Sequence, residues 1–175
     1  GLDIAENVVQ TVISHQNNDG SWYYSRNNST GDYKQLIDYH QGFIIDSLII
    51  LNQLSESSKI EQALVKSVHF YRKKLFTDDG TSIFRLNKSN IIDIHSQAQG
   101  IITFSNSYKI NDSFLEFAVK IAIWTINNMQ DKKGYFYFQK KGLYVNKIAY
   151  MRWNQAWMLE ALGVLISNLK KAGGK

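Results

Sequence analysis

The chain has 175 residues, 44% of them hydrophobic, enough to bury a core in one compact domain without covalent staples. It has no cysteine and no proline, which excludes disulfides, thiol nucleophiles and cysteine-held zinc, and suits a helix-rich chain with glycine and asparagine turns. The formal charge of +5 and the pI near 9.3 come from scattered lysine clusters such as Lys73-Lys74 and Lys132-Lys133, read as solvated helix ends, while the absence of a long apolar run or signal peptide predicts a cytoplasmic protein that engages neither nucleic acid nor membrane.

In chain order, the first predicted helix begins at the polar-x-x-Glu box Asp3/Glu6, the pattern in which a side chain accepts from a free helix N–H and the glutamate reaches back. A turn follows at Gln16-Asn-Asn-Asp-Gly20-Ser-Trp22, and then a segment from Phe43 to Leu54 that is apolar on nearly every face. The second box, Ser58/Glu61, opens a one-sided stripe at Ile60, Ala63, Leu64, Val68, Tyr71 and Leu75. It ends at a turn, Asp79-Gly80-Thr-Ser-Ile-Phe84, that lacks the glutamine of the first. The third box, Ser113/Glu116, leads through Phe114, Ala118, Ile121, Ala122 and Met129 to Gln130-Asp-Lys-Lys-Gly134-Tyr-Phe136 and a second apolar segment, Trp153 to Leu169.

Three markers thus recur in one order. The turn glycines are 60 and 54 residues apart, the boxes 55 and 55, and Gln41-Gly42, Gln99-Gly100 and Gln155-Ala156 follow their glycines by 21, 19 and 21 residues. This predicts three copies of one unit, about residues 1–56, 57–111 and 112–175. Each unit is an amphipathic outer helix, a glycine turn with a short aromatic and hairpin-like stretch, and an inner helix packed on both sides. The fold class is all-α: three αα-hairpins side by side in an arc.

The Gln-x-x-x-Gly-x-aromatic turns resemble those of the α/α-toroid superfamilies, which include terpene cyclases, protein prenyltransferases and the six-hairpin carbohydrate-active enzymes. The stretches 128–139 and 146–162, above all Tyr150-Met-Arg-Trp-Asn-Gln-Ala-Trp157, are similar to the C-terminal signature of a poorly characterised bacterial and archaeal toroid family linked to polysaccharide biosynthesis. Tyr39-His-Gln-Gly42 and Asp93-Ile-His-Ser-Gln-Ala-Gln99 resemble its earlier motifs. Full toroids close six hairpins into a ring, so the resemblance implies half a toroid, either self-associating or lacking its other half. Prenyltransferases and lanthionine cyclases need a zinc-holding cysteine and squalene-type cyclases an Asp-x-Asp-Asp acid, neither of which is here. Carbohydrate chemistry, or binding without chemistry, remains.

In a toroid the inner-helix starts share one mouth, which gathers the candidate residues. Asp38-x-His40 recurs as Asp93-x-His95, 55 residues on. Their histidines could move a proton at a sugar carbon or glycosidic oxygen, with Asp38 and Asp93 fixing a tautomer or acting as acid; as plain helix caps they would do neither. The glutamine register sets Asp38 against Ser96 instead, three residues away. Tyr39, Gln41, Gln99, Tyr150, Arg152, Trp153 and Gln155 are the expected substrate contacts, Arg152 as a bidentate partner for a uronate carboxylate, while the three glutamines also suit struts between inner helices. The expected ligand is an oligosaccharide or acidic sugar, with lyase, epimerase and hydrolase chemistry open, and no cofactor or metal is expected. The alternative is a non-catalytic helical scaffold for a protein or glycan partner.

Overall fold

The computed structural model describes residues 2–55, 57–86 and 90–174. Among them, six α-helices form three αα-hairpins: α1 (Leu2–Ser14) with α2 (Gln41–Ser55), α3 (Ser58–Leu75) with α4 (Ile94–Asn106), and α5 (Ser113–Met129) with α6 (Ala156–Gly173). The odd-numbered helices are outer and the even-numbered inner. Helix α4 lies at the centre, in contact with α2, α5 and α6. Every residue of α4 from Ile94 to Ser105 is buried, and its large apolar side chains, Ile94, Ile101 and Phe104, each contribute about 1.5 to 3 kcal/mol by burial.

The outer helices start where the boxes predict, but not by the predicted bonds. Ser58 and Ser113 are the first helical residues rather than caps, and neither Ser57 nor Asp112 caps with its side chain. Glu61 and Glu116 instead sit in the first turn, where a carboxylate suits the positive end of the helix dipole. The side chain of Asp3 and the unit boundary at residue 56 lie outside the described residues.

The three glycine turns are built alike. The N–H three residues before each glycine donates to the carbonyl just after it (Asn17 to Ser21, Thr77 to Thr81, Asp131 to Tyr135, at 2.8 to 2.9 Å), and the glycine N–H donates back. The glycines have φ of +95°, +93° and +96°, a region that side chains with a Cβ rarely adopt. The first two turns also dock on the next outer helix: a Cβ on Gly20 would lie 2.5 Å from the Lys66 carbonyl oxygen of α3, and one on Gly80 3.1 Å from the Ile121 backbone of α5. Gly134 has nothing within 4 Å of that position.

A side-chain amide closes each turn against the helix that follows. Gln41 accepts from the Trp22 N–H at 2.8 Å and donates to the Trp22 carbonyl at 2.9 Å; Gln155 does the same to Phe136 at 2.9 and 2.8 Å. In the middle unit the amide is that of Gln97, accepting from the Ser82 N–H at 2.7 Å and donating to the Gly80 carbonyl at 3.3 Å. Gln99 is therefore not the counterpart of Gln41 and Gln155. Its Gln-Gly pair recurs because of packing: a Cβ on Gly42 would strike Gln99 and Thr103 of α4, and one on Gly100 would strike the ring of Phe76. Phe76 occupies the place that Gln16 and Gln130 hold four residues before their glycines, which explains the missing glutamine of the middle turn.

Short strands complete the mouth end. The strands β1 (Ser25–Arg26) and β2 (Tyr33–Lys34) pair as a hairpin; β3 (Ile91–Asp93), β4 (Gln139–Lys141) and β5 (Tyr144–Asn146) form an antiparallel sheet joining the second and third units. Because α2 and α6 flank α4 at the two ends of the arc, they are not packed on both sides as their composition predicts. Ile50 and Leu54 on α2, and Leu159 and Ile166 on α6, remain exposed.

Candidate functional site

The three inner-helix starts meet in a cluster of rings. Ile37 and Asp38 run antiparallel to the 85–86 segment, with Asp38 bridged to Arg85 and the Leu86 N–H donating to the Ile37 carbonyl at 3.3 Å. The chain then turns so that buried Asp38 accepts from both the backbone N–H of His40, at 3.1 Å, and its ring Nδ1, at 2.7 Å. This fixes the tautomer: Nδ1 carries the proton and Nε2 is left as an acceptor.

The second Asp-x-His pair differs. Asp93 ends β3 and caps α4 by accepting from the His95 N–H at 2.9 Å, and its other oxygen accepts from Gln139, its cross-strand partner, at 2.6 Å. Burial holds the Asp93 carboxyl above the usual carboxylate range despite these bonds. The His95 ring is not held by Asp93. It is 5% exposed, and neither ring nitrogen has a hydrogen-bond partner among the described residues. Its neighbours are rings: Trp157 at 4.3 Å between centroids, Tyr39 and Trp153 at 4.8 Å, and Phe43 at 6.0 Å. Desolvation among them, aided by His40, lowers the imidazole pKa to about 4, so His95 is neutral at physiological pH. Tyr39 lies between the histidines, stacked on His40 at 4.3 Å. Its phenol is pushed up to about 12, first by burial and then by Asp93 and Asp38, and stays a donor.

A single π turn at Met151–Gln155 sets the third helix start, the kind of local insertion that re-aims side chains at functional sites. It places Trp153 edge-on to His95 and leaves Arg152 exposed, in an open depression of about 420 Å³ with Tyr150, Met151 and Trp153. Arg152 makes no ion pair or hydrogen bond among the described residues. Tyr150 packs edge-on against Phe138 at 5.3 Å.

The candidate glutamines are otherwise engaged. Gln41 and Gln155 tie their own turns rather than adjacent inner helices, while Gln99 is an interhelical strut, donating to Asp46 of α2 at 2.7 Å. With Gln97 as the anchor, Asp38 precedes its glutamine by three residues and Asp93 by four, so the two registers differ by one residue rather than three. Sequence reasoning missed Phe43, Arg85, Gln139 and Asp46 in this region. Only Phe43 carried a signal, three residues after His40 in the first turn of α2. Asp46 is surrounded by donors from α4 (Gln99, Thr103 at 3.1 Å and Asn106 at 3.5 Å), and burial raises its pKa to about 6.

No protein-family model matches the chain, and no curated protein matches it. Solved structures do. A D-mannose isomerase superposes with a TM-score of 0.80 at 11% identity over 97% of this chain and 47% of its own. For the cellobiose 2-epimerase of Spirochaeta thermophila the values are 0.79, 10%, 93% and 46%; for a family 105 glycoside hydrolase of C. acetobutylicum they are 0.67, 16%, 95% and 48%. The chain has the α/α-toroid fold, and it spans about half the length of each of these proteins.

Proposed function

We propose that the mouth binds a sugar and transfers a proton at a carbon next to its carbonyl, as in epimerisation or aldose–ketose isomerisation. The observation that carries this reading is His95: a buried, neutral imidazole with two unfilled ring nitrogens, one aromatic ring away from an aspartate-fixed histidine. The roles follow from the environments. His40, with a side chain 45% exposed and Nδ1–H held by Asp38, presents Nε2 as the base that removes the carbon-bound proton. His95 stays neutral and donates to the carbonyl oxygen, where charge develops, without itself changing protonation. Tyr39, Phe43, Trp153 and Trp157 supply the faces on which a sugar ring stacks. In isomerisation His40 returns the proton to the neighbouring carbon while the C2 hydroxyl proton passes to O1; in epimerisation the enediol first turns about its C2–C3 bond, so that His40 protonates C2 on the opposite face. Hydrolysis fits less well, because it uses two carboxyl groups flanking the bond, and Asp38 and Asp93 are both bound to neighbouring groups. Arg152 remains a proposed contact at the outer rim, reached past Trp153.

The exposed apolar edges at Ile50 and Leu54, and at Leu159 and Ile166, are assigned to further hairpins, from a second copy or from a longer polypeptide. The test of the chemistry is incubation with aldoses and aldobioses in D₂O. Deuterium appearing at C2, abolished by His40→Asn, is the expected result; sugars that bind but never exchange would refute the proton transfer. A second reading is favoured by the tight ring packing around His95: a glycan-binding module without turnover. That exchange-negative, binding-positive outcome identifies it.

A further inference from the structure

An arginine other than the one that the sequence motif singles out lies beside the ring cluster. Arg85 follows Phe84 in the strand-like segment that bridges to Asp38, and its guanidinium lies 4.9 Å from the Phe84 ring centroid. Phe84 in turn lies 6.4 Å from Tyr39, whose phenol feels the Arg85 charge. The charge is unmatched: among the described residues the side-chain ion pairs are His40–Asp38 and Arg72–Asp78, and the aspartate that Arg85 is bridged to is bound to His40. The Arg85 Nε–H is buried with no acceptor among the described residues. A guanidinium held against an aromatic face with an unfilled, desolvated donor is a receptor for an anion, since leaving such a donor unpaired costs more than its net bond returns.

We infer that Arg85 binds an anionic substituent of the ligand, a carboxylate or a phosphate ester, so that the mouth selects acidic sugars over neutral ones. This rests on the sugar-binding reading for the ligand's frame but not for the anion contact. The residue is a specificity determinant and takes no part in proton transfer.

The test uses the intact chain with glucuronate, glucose 6-phosphate, glucose and inorganic phosphate, binding being followed by the Nε–Hε resonances of its four arginines. The expected result is a shift of the Arg85 resonance with glucuronate or glucose 6-phosphate, and affinity for one of them roughly 10- to 100-fold above glucose, the range of a charge-assisted bond. Arg85→Gln should abolish this preference, and Arg85→Lys should restore part of it. Glucuronate and glucose 6-phosphate compared directly tell carboxylate from phosphate. Equal binding of acidic and neutral sugars, preference that survives Arg85→Gln, or an unmoved Arg85 resonance overturns the inference and leaves the sugar reading standing. Phosphate and glucuronate binding through Arg85 with no response to glucose at His95 supports the anion site while removing the sugar site.

Discussion

Replacing Asp46 by Asn should invert part of the protein's pH dependence of stability. When ionised, Asp46 carries a negative charge between α2 and α4, with no ion pair to a cation among the described residues. Its neighbours are the Gln99, Thr103 and Asn106 donors from α4 and the like charge of Glu160 on α6. Those donors lower its pKa, but burial outweighs them and raises it from 3.8 to about 6. The sign follows: the folded state holds the proton more tightly, so the contribution of Asp46 is fully present below about pH 4 and lost as pH rises through about 6. At 1.36 kcal/mol per pKa unit, the loss is roughly 2 to 3 kcal/mol. His95 works oppositely. Its pKa is depressed from 6.5 to about 4, so its contribution is present above 6.5 and lost as pH falls. The two nearly cancel in the native protein between pH 4 and 6.5, and only the comparison with Asp46→Asn separates them. Urea unfolding of both proteins from pH 4 to 8 should show the variant gaining roughly 2 to 3 kcal/mol on the native protein between the acid and neutral ends. A difference independent of pH would mean that Asp46 is solvated and that the inner-helix layer is not dry.

The turns give a second comparison. Gly80→Ala should destabilise by more than Gly134→Ala, because both strain a positive φ at about 1 kcal/mol or more but only Gly80 also meets the backbone of a neighbouring helix; equal losses in thermal unfolding would remove the docking argument. Gln97→Ala should cost roughly 1 to 3 kcal/mol by leaving the buried Ser82 N–H unpaired, whereas Gln99→Ala should leave the middle turn intact. Chemical-shift changes at Gly80 and Ser82 distinguish the two. The exposed edges of α2 and α6 predict self-association, and sedimentation showing only monomer at roughly 10 µM would mean that those faces are tolerated in water.

What the sequence revealed is what local chemistry compels. A positive φ demands glycine, so the three turns were legible, and with them the three hairpins. The Gln-Gly repeat was legible but misleading: Gly42 and Gly100 both relieve close helix contacts, and the glutamines before them do different things. The capping boxes marked the helix starts through the charge of their glutamates rather than through cap bonds. At the site, the Asp-x-His repeat pointed to both histidines. That only Asp38 grips its imidazole depends on β3, which turns the Asp93 carboxylate toward its own helix and Gln139. Arg85 and Gln139 reach the cluster through strand pairings two or three residues long, too short to impose a period on the sequence.

The central claim is that the ring cluster around His95 receives a sugar, and the His95 imidazole reports on it directly. With ¹⁵N-labelled histidine, both His95 ring nitrogens should lack a strong partner in the free protein and the ring should remain neutral down to about pH 4. Adding the sugar should shift one of them as it donates to the ligand, with matching changes at the indoles of Trp153 and Trp157. Binding that moves the resonances of Tyr150 and Arg152 but leaves His95 untouched would place the ligand in the outer depression and contradict the account.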